Sequence, residues 1–130
     1  MKPLNLLLAL PFLFMATSSS AQDQSRISGI NNARTVTVRI NGDCDMCKTR
    51  IDKAGSVKGE AAVDWDTDAK TARVTYDSTR TDLDAILQRV ALVGYDTERF
   101  RATDSAYRKL PGCCQYDRPM RRDPNRSQEP

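Results

Sequence analysis

The spacing of apolar residues predicts four strands in the middle of the chain. Apolar and polar residues alternate at 35–40, 61–65 and 72–76, which is the two-residue period of a strand with one buried face. A polar turn at 67–69 joins the second and third of these strands. The segment 95–100 is expected to form the last strand.

Two helices are predicted between these strands. The first is expected to end at Gly59, and the second at Gly94. Thr81 and Asp84 resemble a capping pair at the start of the second helix. The order β-α-β-β-α-β predicts an α+β fold, a ferredoxin-like sandwich that carries a C-terminal Cys-Cys extension. The apolar stripe of the second helix consists of Leu83, Ile86, Leu87, Val90 and Ala91.

The first 21 residues have the pattern of a cleavable secretory signal peptide. Lys2 is followed by an apolar stretch at 4–15, and small residues precede the expected cleavage point after Ala21. A membrane-spanning helix needs about 20 apolar residues, so we expect no stable membrane insertion. The mature protein is therefore expected to be periplasmic or secreted, in an oxidising compartment.

The remaining residues divide by composition into one domain with flanking segments. A short helix is expected at 104–110, behind Thr103. The segment that follows it is rich in proline and arginine and has no apolar period. The predicted organisation is a signal peptide at 1–21, a flexible leader at 22–33, the compact domain at 34–100, the extension at 101–116 and a disordered tail at 117–130.

Composition and charge exclude several functions. The chain has 20 basic and 17 acidic residues, a net charge of +3 and no histidine. Interleaved charges of both signs do not form the basic face that nucleic acid requires, so we expect no nucleic-acid partner. The absence of histidine excludes Ser-His-Asp and Cys-His catalysis and histidine metal sites. We expect a protein that is not an enzyme and whose metal or redox chemistry uses Cys, Met or carboxylate groups.

The main chemical signal is the Cys-x-x-Cys motif of Cys44 and Cys47, where the first strand passes into the first helix. Two sulfur atoms at i and i+3 around a helix start can converge on one ion. The N-terminal end of a helix favours the thiolate over the thiol. Thiolates select soft ions, here Cu(I), Zn(II) or Hg(II), and Lys48 would offset the negative charge of a bis-thiolate complex.

In these residues the chain resembles the heavy-metal-associated domain family, which includes copper chaperones, periplasmic mercury-binding proteins and metal-binding modules of P-type ATPases. The resemblance covers about 35–100. It implies the ferredoxin-like fold and the transfer of a metal ion between thiolates. The matching segments are Cys-Asp-Met-Cys at 44–47, Arg-Ile-Asp-Lys-Ala at 50–54, Val-Thr-Tyr-Asp at 74–77 and Gly-Tyr at 94–95.

The resemblance also implies roles for individual residues. Cys44 and Cys47 would be the metal ligands, and Tyr95 would lie in the loop that closes over the site. Asp43 stands where zinc-pump members of the family have an aspartate as third ligand; the alternative is a solvated carboxylate. The metal ion would be passed to a metal-transporting ATPase or another thiol-rich metal-binding protein.

A second pair of cysteines, Cys113 and Cys114, follows the domain. Adjacent cysteines rarely bond to each other because the ring is strained. The end of the last strand, Phe100, should lie roughly 20 Å from the metal loop, and the residues 101–112 are long enough to span that distance. Cys113 and Cys114 are therefore either auxiliary metal ligands or disulfide partners.

These observations lead to one principal hypothesis and two alternatives. The principal one is an exported soft-metal-ion-binding protein, a copper, zinc or mercury chaperone or scavenger with Cu(I) favoured. The first alternative is a thiol-disulfide redox protein. The second is an interaction module that is stabilised by disulfides.

Overall fold

The computed structural model describes residues 26–118, so the predicted signal peptide and positions 119–130 of the predicted tail lie outside the described residues. No helix within 26–118 is both long enough and apolar enough to cross a membrane. The elements are β1 (Ala33–Arg39), α1 (Asp45–Gly55), β2 (Ala61–Asp66), β3 (Thr71–Asp77), α2 (Leu83–Leu92), α3 (Asp104–Arg108) and a 3-10 helix (Gly112–Cys114).

The three strands form one antiparallel sheet in the order β1-β3-β2. Val36 of β1 and Val63 of β2 both lie opposite Val74 of β3, which gives a continuous apolar row across the sheet. The turn that joins β2 and β3 is closed by Asp66, whose carboxylate accepts the backbone N–H groups at 68 and 69. The α+β class is confirmed.

The core lies between this sheet and the two long helices. The indole of Trp65 is fully buried and donates a hydrogen bond of 2.9 Å to the carbonyl of Ile40. Ile51 is the fully buried aliphatic side chain of α1. The predicted apolar stripe of α2 is confirmed, since its members Leu83, Ile86, Leu87, Val90 and Ala91 are all buried.

Two predicted helix boundaries are wrong. The first helix ends at Gly55 rather than Gly59, because Ser56 already has an extended backbone, with φ −86° and ψ 136°, and its hydroxyl accepts the N–H of Val63 at 2.9 Å. The second helix is capped by Asp82 rather than Thr81. The Asp82 carboxylate accepts the N–H of Ala85 at 2.8 Å.

The predicted last strand, 95–100, does not form. Only Thr97 pairs with the sheet, through an isolated antiparallel bridge to Ile40. A tight turn competes with further pairing: the N–H of Thr97 donates to the carbonyl of Phe100 at 2.8 Å, and the Thr97 hydroxyl accepts the Phe100 N–H at 2.9 Å. The segment lies beside β1 without extending the ladder.

The extension after the domain is folded against it. The short helix predicted behind Thr103 is confirmed as α3, and the Thr103 hydroxyl accepts the N–H of Ala106 at 3.1 Å. Gly94 has φ +111°, and a Cβ there would lie 2.9 Å from the carbonyl oxygen of Ala106, so only glycine allows this approach. Three side chains of the extension are buried in the main core: Leu110, Cys114 and Tyr116.

Candidate metal centre

Cys44 and Cys47 lie at the start of α1. Cys44 is the N-cap residue in an extended conformation, with φ −133°, and Cys47 lies in the first turn. Cys44 is partly exposed, whereas Cys47 is fully buried. Their Sγ atoms are 3.5 Å apart, and both are free thiols. The two sulfur atoms therefore converge, as the sequence predicts.

The loop before Cys44 rests on the core tryptophan. A Cβ at Gly42 would lie 2.7 Å from Cζ2 of Trp65, so the backbone lies directly on the indole. The N–H of Asp43 donates to the Cys47 sulfur at 3.4 Å, and the Lys70 ammonium donates to the Asp43 carbonyl at 3.2 Å. These contacts fix the loop from both sides.

The third sulfur atom comes from the extension, seventy positions later in the chain. The Sγ atom of Cys114 lies 3.7 Å from that of Cys44, and the sulfur atoms of Cys44, Cys47 and Cys114 all lie within 4.8 Å of one another. Cys114 is fully buried at the end of the 3-10 helix, and its N–H donates to the carbonyl of Pro111 at 2.8 Å. We call these three residues the sulfur cluster.

Tyr116 anchors the segment that carries Cys114. Its hydroxyl donates to the carbonyl of Gly94 at 2.9 Å and accepts the N–H of Asp96 at 2.8 Å, and both bonds are buried. The hydroxyl of Tyr107 donates to the Tyr116 carbonyl at 2.6 Å. The extension is thereby attached to the irregular segment after α2, close to the sulfur cluster.

An ion pair between Arg118 and Asp96 attaches the end of the extension to the segment after α2. The guanidinium of Arg118 donates to both carboxylate oxygens of Asp96 at 2.8 Å and also bonds the Ala102 carbonyl. Burial raises the pKa of Asp96, but Arg118 outweighs it and the pKa is lowered overall. Arg118, which the sequence analysis assigned to a disordered tail, therefore belongs to the folded extension.

The sulfur separations suit a metal ion with three or four ligands. A tetrahedral zinc with Zn–S bonds of about 2.3 Å holds its sulfur atoms about 3.8 Å apart, and a linear two-sulfur ion holds them about 4.6 Å apart. The observed 3.5 Å and 3.7 Å lie near the first value. They far exceed the disulfide bond length of about 2.05 Å.

Tyr95 lies inside the protein next to the cluster. It is fully buried, and its hydroxyl has no well-formed hydrogen bond to any described residue. Burial raises the pKa of Tyr95 far above its ordinary value, and the neighbouring Cys114 and Cys47 thiols raise it further. A buried hydroxyl without a firm partner, beside two thiols of the cluster, fits a site whose polar groups are completed by a ligand.

The cysteines differ in their tendency to ionise. The backbone N–H of Cys47 is the main cause that lowers the pKa of Cys44 to about 7. Burial raises the pKa of Cys114 to about 12. The hydrogen bond with Cys44 is the main cause that raises the pKa of the Cys113 thiol. Cys44 is therefore the thiol that is poised to bind a soft ion first.

Other predicted site residues lie outside the cluster. The carboxylate of Asp43 is not among its ligand atoms, and its side chain is exposed. The ammonium of Lys48, expected beside the thiolates, instead donates to Asp52 at 3.0 Å, to Asp64 and to the carbonyl of Trp65. Its charge therefore balances buried and half-buried carboxylates.

Near the cluster lie the predicted auxiliary residue Cys113 and three residues that the sequence analysis did not assign to the site: Met46, Tyr116 and Arg118. The exposed Cys113 thiol donates to the Met46 thioether at 3.9 Å and lies 3.9 Å from the Cys114 sulfur. Tyr116 and Arg118 position Cys114, but neither residue belongs to a sequence motif that would have identified it as part of the site. Only their closeness to the Cys-Cys pair in the sequence could have drawn attention to them.

Comparison with known proteins gives no relative: no family model, no curated protein and no solved structure matches this chain. The site must therefore be interpreted from its own residues. These provide three convergent thiols, of which one is partly exposed and two are buried.

Proposed function

We propose that this protein binds a soft metal ion through Cys44, Cys47 and Cys114. The observation that carries the proposal is the convergence of three free thiols from two distant parts of the chain, within 4.8 Å of one another. Thiols that converge on one point provide the ligands that soft metal ions prefer.

Cu(I) is the favoured ion, and Zn(II) or Hg(II) are the other candidates. Thiolates select soft ions, and a Zn(II) site normally has four protein ligands or an open position for water. Three sulfur ligands are a complete set for Cu(I). The half-exposed Cys44 gives an incoming thiolate access to the ion, which suits a cargo that is received and passed on.

The proposal extends to the fold and the biological setting. The sheet and helices are compatible with a ferredoxin-like fold in which the fourth strand is reduced to the bridge at Thr97. Membership of the heavy-metal-associated family, export by the segment 1–21, and delivery to a metal-transporting ATPase or another thiol-rich protein are part of the same hypothesis.

The test is an anaerobic Cu(I) titration of the reduced protein against a chromophoric competing chelator. We expect one ion per chain at the cluster. Replacing Cys44 and Cys47 together by serine should raise the dissociation constant at least about 1000-fold. Replacing Cys114 alone by serine should raise it roughly 10- to 100-fold, because two thiolates remain.

Cys113→Ser is the matched control, since it removes the adjacent thiol and leaves the cluster intact. It should leave the affinity for the first ion unchanged within about threefold. Unchanged binding in the Cys44/Cys47 double variant would contradict the proposal, and so would an equal loss in Cys113→Ser and Cys114→Ser.

A second candidate function is supported by the ionisation of Cys44. A half-exposed thiol with pKa of about 7, 3.5 Å from a buried second thiol, has the arrangement of an attacking and a resolving cysteine. The Cys44 thiolate would attack a substrate disulfide, form a mixed disulfide and release the first substrate thiolate. The deprotonated Cys47 would then attack the Cys44 sulfur, form the Cys44–Cys47 disulfide and release the second substrate thiolate, so that the substrate is reduced and the protein oxidised. Reduction of insulin by the reduced protein would support this function, and a Cys47→Ser variant trapped as a mixed disulfide would identify it.

A further inference from the structure

Two sulfur atoms beside the cluster have no role in the three-thiol site. The Cys113 side chain is exposed, and Met46, in the first turn of α1, is 49% exposed. They come from opposite sides of the junction between the domain and the extension, yet the Cys113 Sγ and Met46 Sδ atoms are 3.9 Å apart. The Cys113 sulfur is also 3.9 Å from that of Cys114.

We propose that Met46 and Cys113 form a second, outer site for a monovalent soft cation, Cu(I) or Ag(I), which shares the Cys114 thiolate with the inner cluster. This inference rests on the proposed function because the shared thiolate belongs to the inner site. It goes beyond that function in assigning a thioether ligand, a stoichiometry of two ions and a preference for monovalent ions.

Two of the three sulfur–sulfur distances at the outer site fit a three-sulfur ion. A trigonal ion with metal–sulfur bonds of about 2.3 Å holds its ligands about 4.0 Å apart. The Cys113 sulfur lies 3.9 Å from each of its two partners, Met46 and Cys114. A sulfur atom of Cys114 that bridges both ions would place them in adjoining sites, as thiolates do in small copper clusters.

Charge explains the preference for a monovalent ion. Occupation of the outer site adds one cation and one new thiolate, that of Cys113, while the thioether of Met46 is neutral. The net charge of the cluster therefore does not change when the ion is monovalent and the Cys113 proton is released. Zn(II) would add a positive charge, and its protein ligands are thiolate, imidazole and carboxylate groups rather than thioethers.

The test is titration of the reduced full-length protein with Ag(I), followed by native mass spectrometry, and a parallel titration with Zn(II). Wild type should bind two Ag(I) ions but only one Zn(II) ion. Met46→Leu keeps the apolar volume and removes the sulfur, so it should raise the dissociation constant of the second Ag(I) at least about tenfold. Cys113→Ser should abolish the second Ag(I). Leu92→Ala removes an exposed side chain of α2 and should change neither ion.

The outcomes separate this inference from the proposed function. If the first Ag(I) binds and the second is absent, or if the second survives unchanged in Met46→Leu, the outer site is refuted and the inner site stands. If neither ion binds to wild type, both are refuted. Circular dichroism of each variant shows whether it is folded, so loss of the second ion alone by a folded variant supports the outer site.

Discussion

Cys44 and Cys47 lie at the start of α1, which packs on the sheet, whereas Cys114 lies in an extension that has only two short helices. The first region is held by burial: Ile51 and Trp65 are fully buried beneath the cysteine loop. The extension buries Leu110, Cys114 and Tyr116 in the same core. It is held in addition by directed polar bonds, those of Tyr116 to the segment after α2 and those of Arg118 to Asp96.

This difference assigns separate tasks to the two regions. Apolar burial is collective and opens only with global unfolding, whereas a few polar anchors can open locally. Cys44 and Cys47 therefore form a permanent pair. The position of Cys114 depends on these polar bonds as well as on burial, and breaking the bonds would change a three-sulfur site into a two-sulfur site.

The largest expected contrast between the regions is in thiol reactivity. With the pKa of Cys44 lowered to about 7 and that of Cys114 raised to about 12, about half of Cys44 and very little of Cys114 is thiolate at pH 7. Pulsed iodoacetamide labelling with mass mapping should therefore modify Cys44 at least about 100-fold faster than Cys114. The labelling rate of Cys44 should rise with a midpoint near pH 7.

Cys113 shows whether ionisation or exposure determines the labelling rate in that experiment. It is exposed, but its pKa is raised by the hydrogen bond with Cys44. It should therefore react more slowly than Cys44 at pH 7. Faster labelling of Cys113 than of Cys44 would show that access alone determines reactivity. Labelling of the protein unfolded in urea, in which the thiols should react at equal rates, serves as the reference.

The next effect concerns the collective core of the first region. Ile51→Ala removes a fully buried side chain of α1 and should lower the free energy of unfolding by about 2–5 kcal/mol. Urea unfolding followed by circular dichroism should show one transition at a lower midpoint. Lys53→Ala, on the exposed side of the same helix, should change the midpoint little. An equal effect of both variants would contradict the assigned core.

A smaller and local effect is expected in the extension. Arg118→Ala leaves the buried Asp96 carboxylate without its bidentate partner and should cost about 1–3 kcal/mol. Because the anchor is local, hydrogen exchange should accelerate at Ala102, whose N–H donates to Asp96, and not in β3. Arg108→Ala, on the exposed side of α3, is the control. Uniform acceleration across the sheet would show that the extension does not open separately.

The smallest effect is expected at Tyr95. Its hydroxyl lacks a well-formed hydrogen bond, so Tyr95→Phe should change the stability of the metal-free protein by less than about 1 kcal/mol. The Tyr116 hydroxyl has two buried partners, and Tyr116→Phe should cost roughly 1–3 kcal/mol. Thermal unfolding compares the two variants directly. A larger loss of stability in Tyr95→Phe than in Tyr116→Phe would contradict the assignment of Tyr116 as the anchor of the extension.

The sequence was sufficient for the elements whose stability comes from regular burial. The two-residue alternation of the strands and the stripe that begins at Leu83 are repeated signals, so they identify β1, β2, β3 and α2. Single-residue features were less reliable. Asp82 rather than Thr81 caps α2, because two neighbouring polar residues both suit a cap and only the backbone geometry selects one.

The site could be predicted only where it is local. Cys44 and Cys47 are three residues apart at a helix start, so their meeting follows from the helix itself. The position of Cys114 depends on the path of the extension, for which chain length sets only a limit. The contact of Lys48 with Asp52 is an i,i+4 pair that the sequence could predict, but its contact with Asp64 could not be, since Asp64 comes from β2, sixteen residues later.

The central claim is that Cys114 joins Cys44 and Cys47 in one site. X-ray absorption at the copper edge, on protein loaded with one equivalent of Cu(I), measures the number of sulfur ligands directly. The account predicts three sulfur ligands in wild type and in Cys113→Ser, and two in Cys114→Ser. Two sulfur ligands in wild type and Cys114→Ser alike would contradict it.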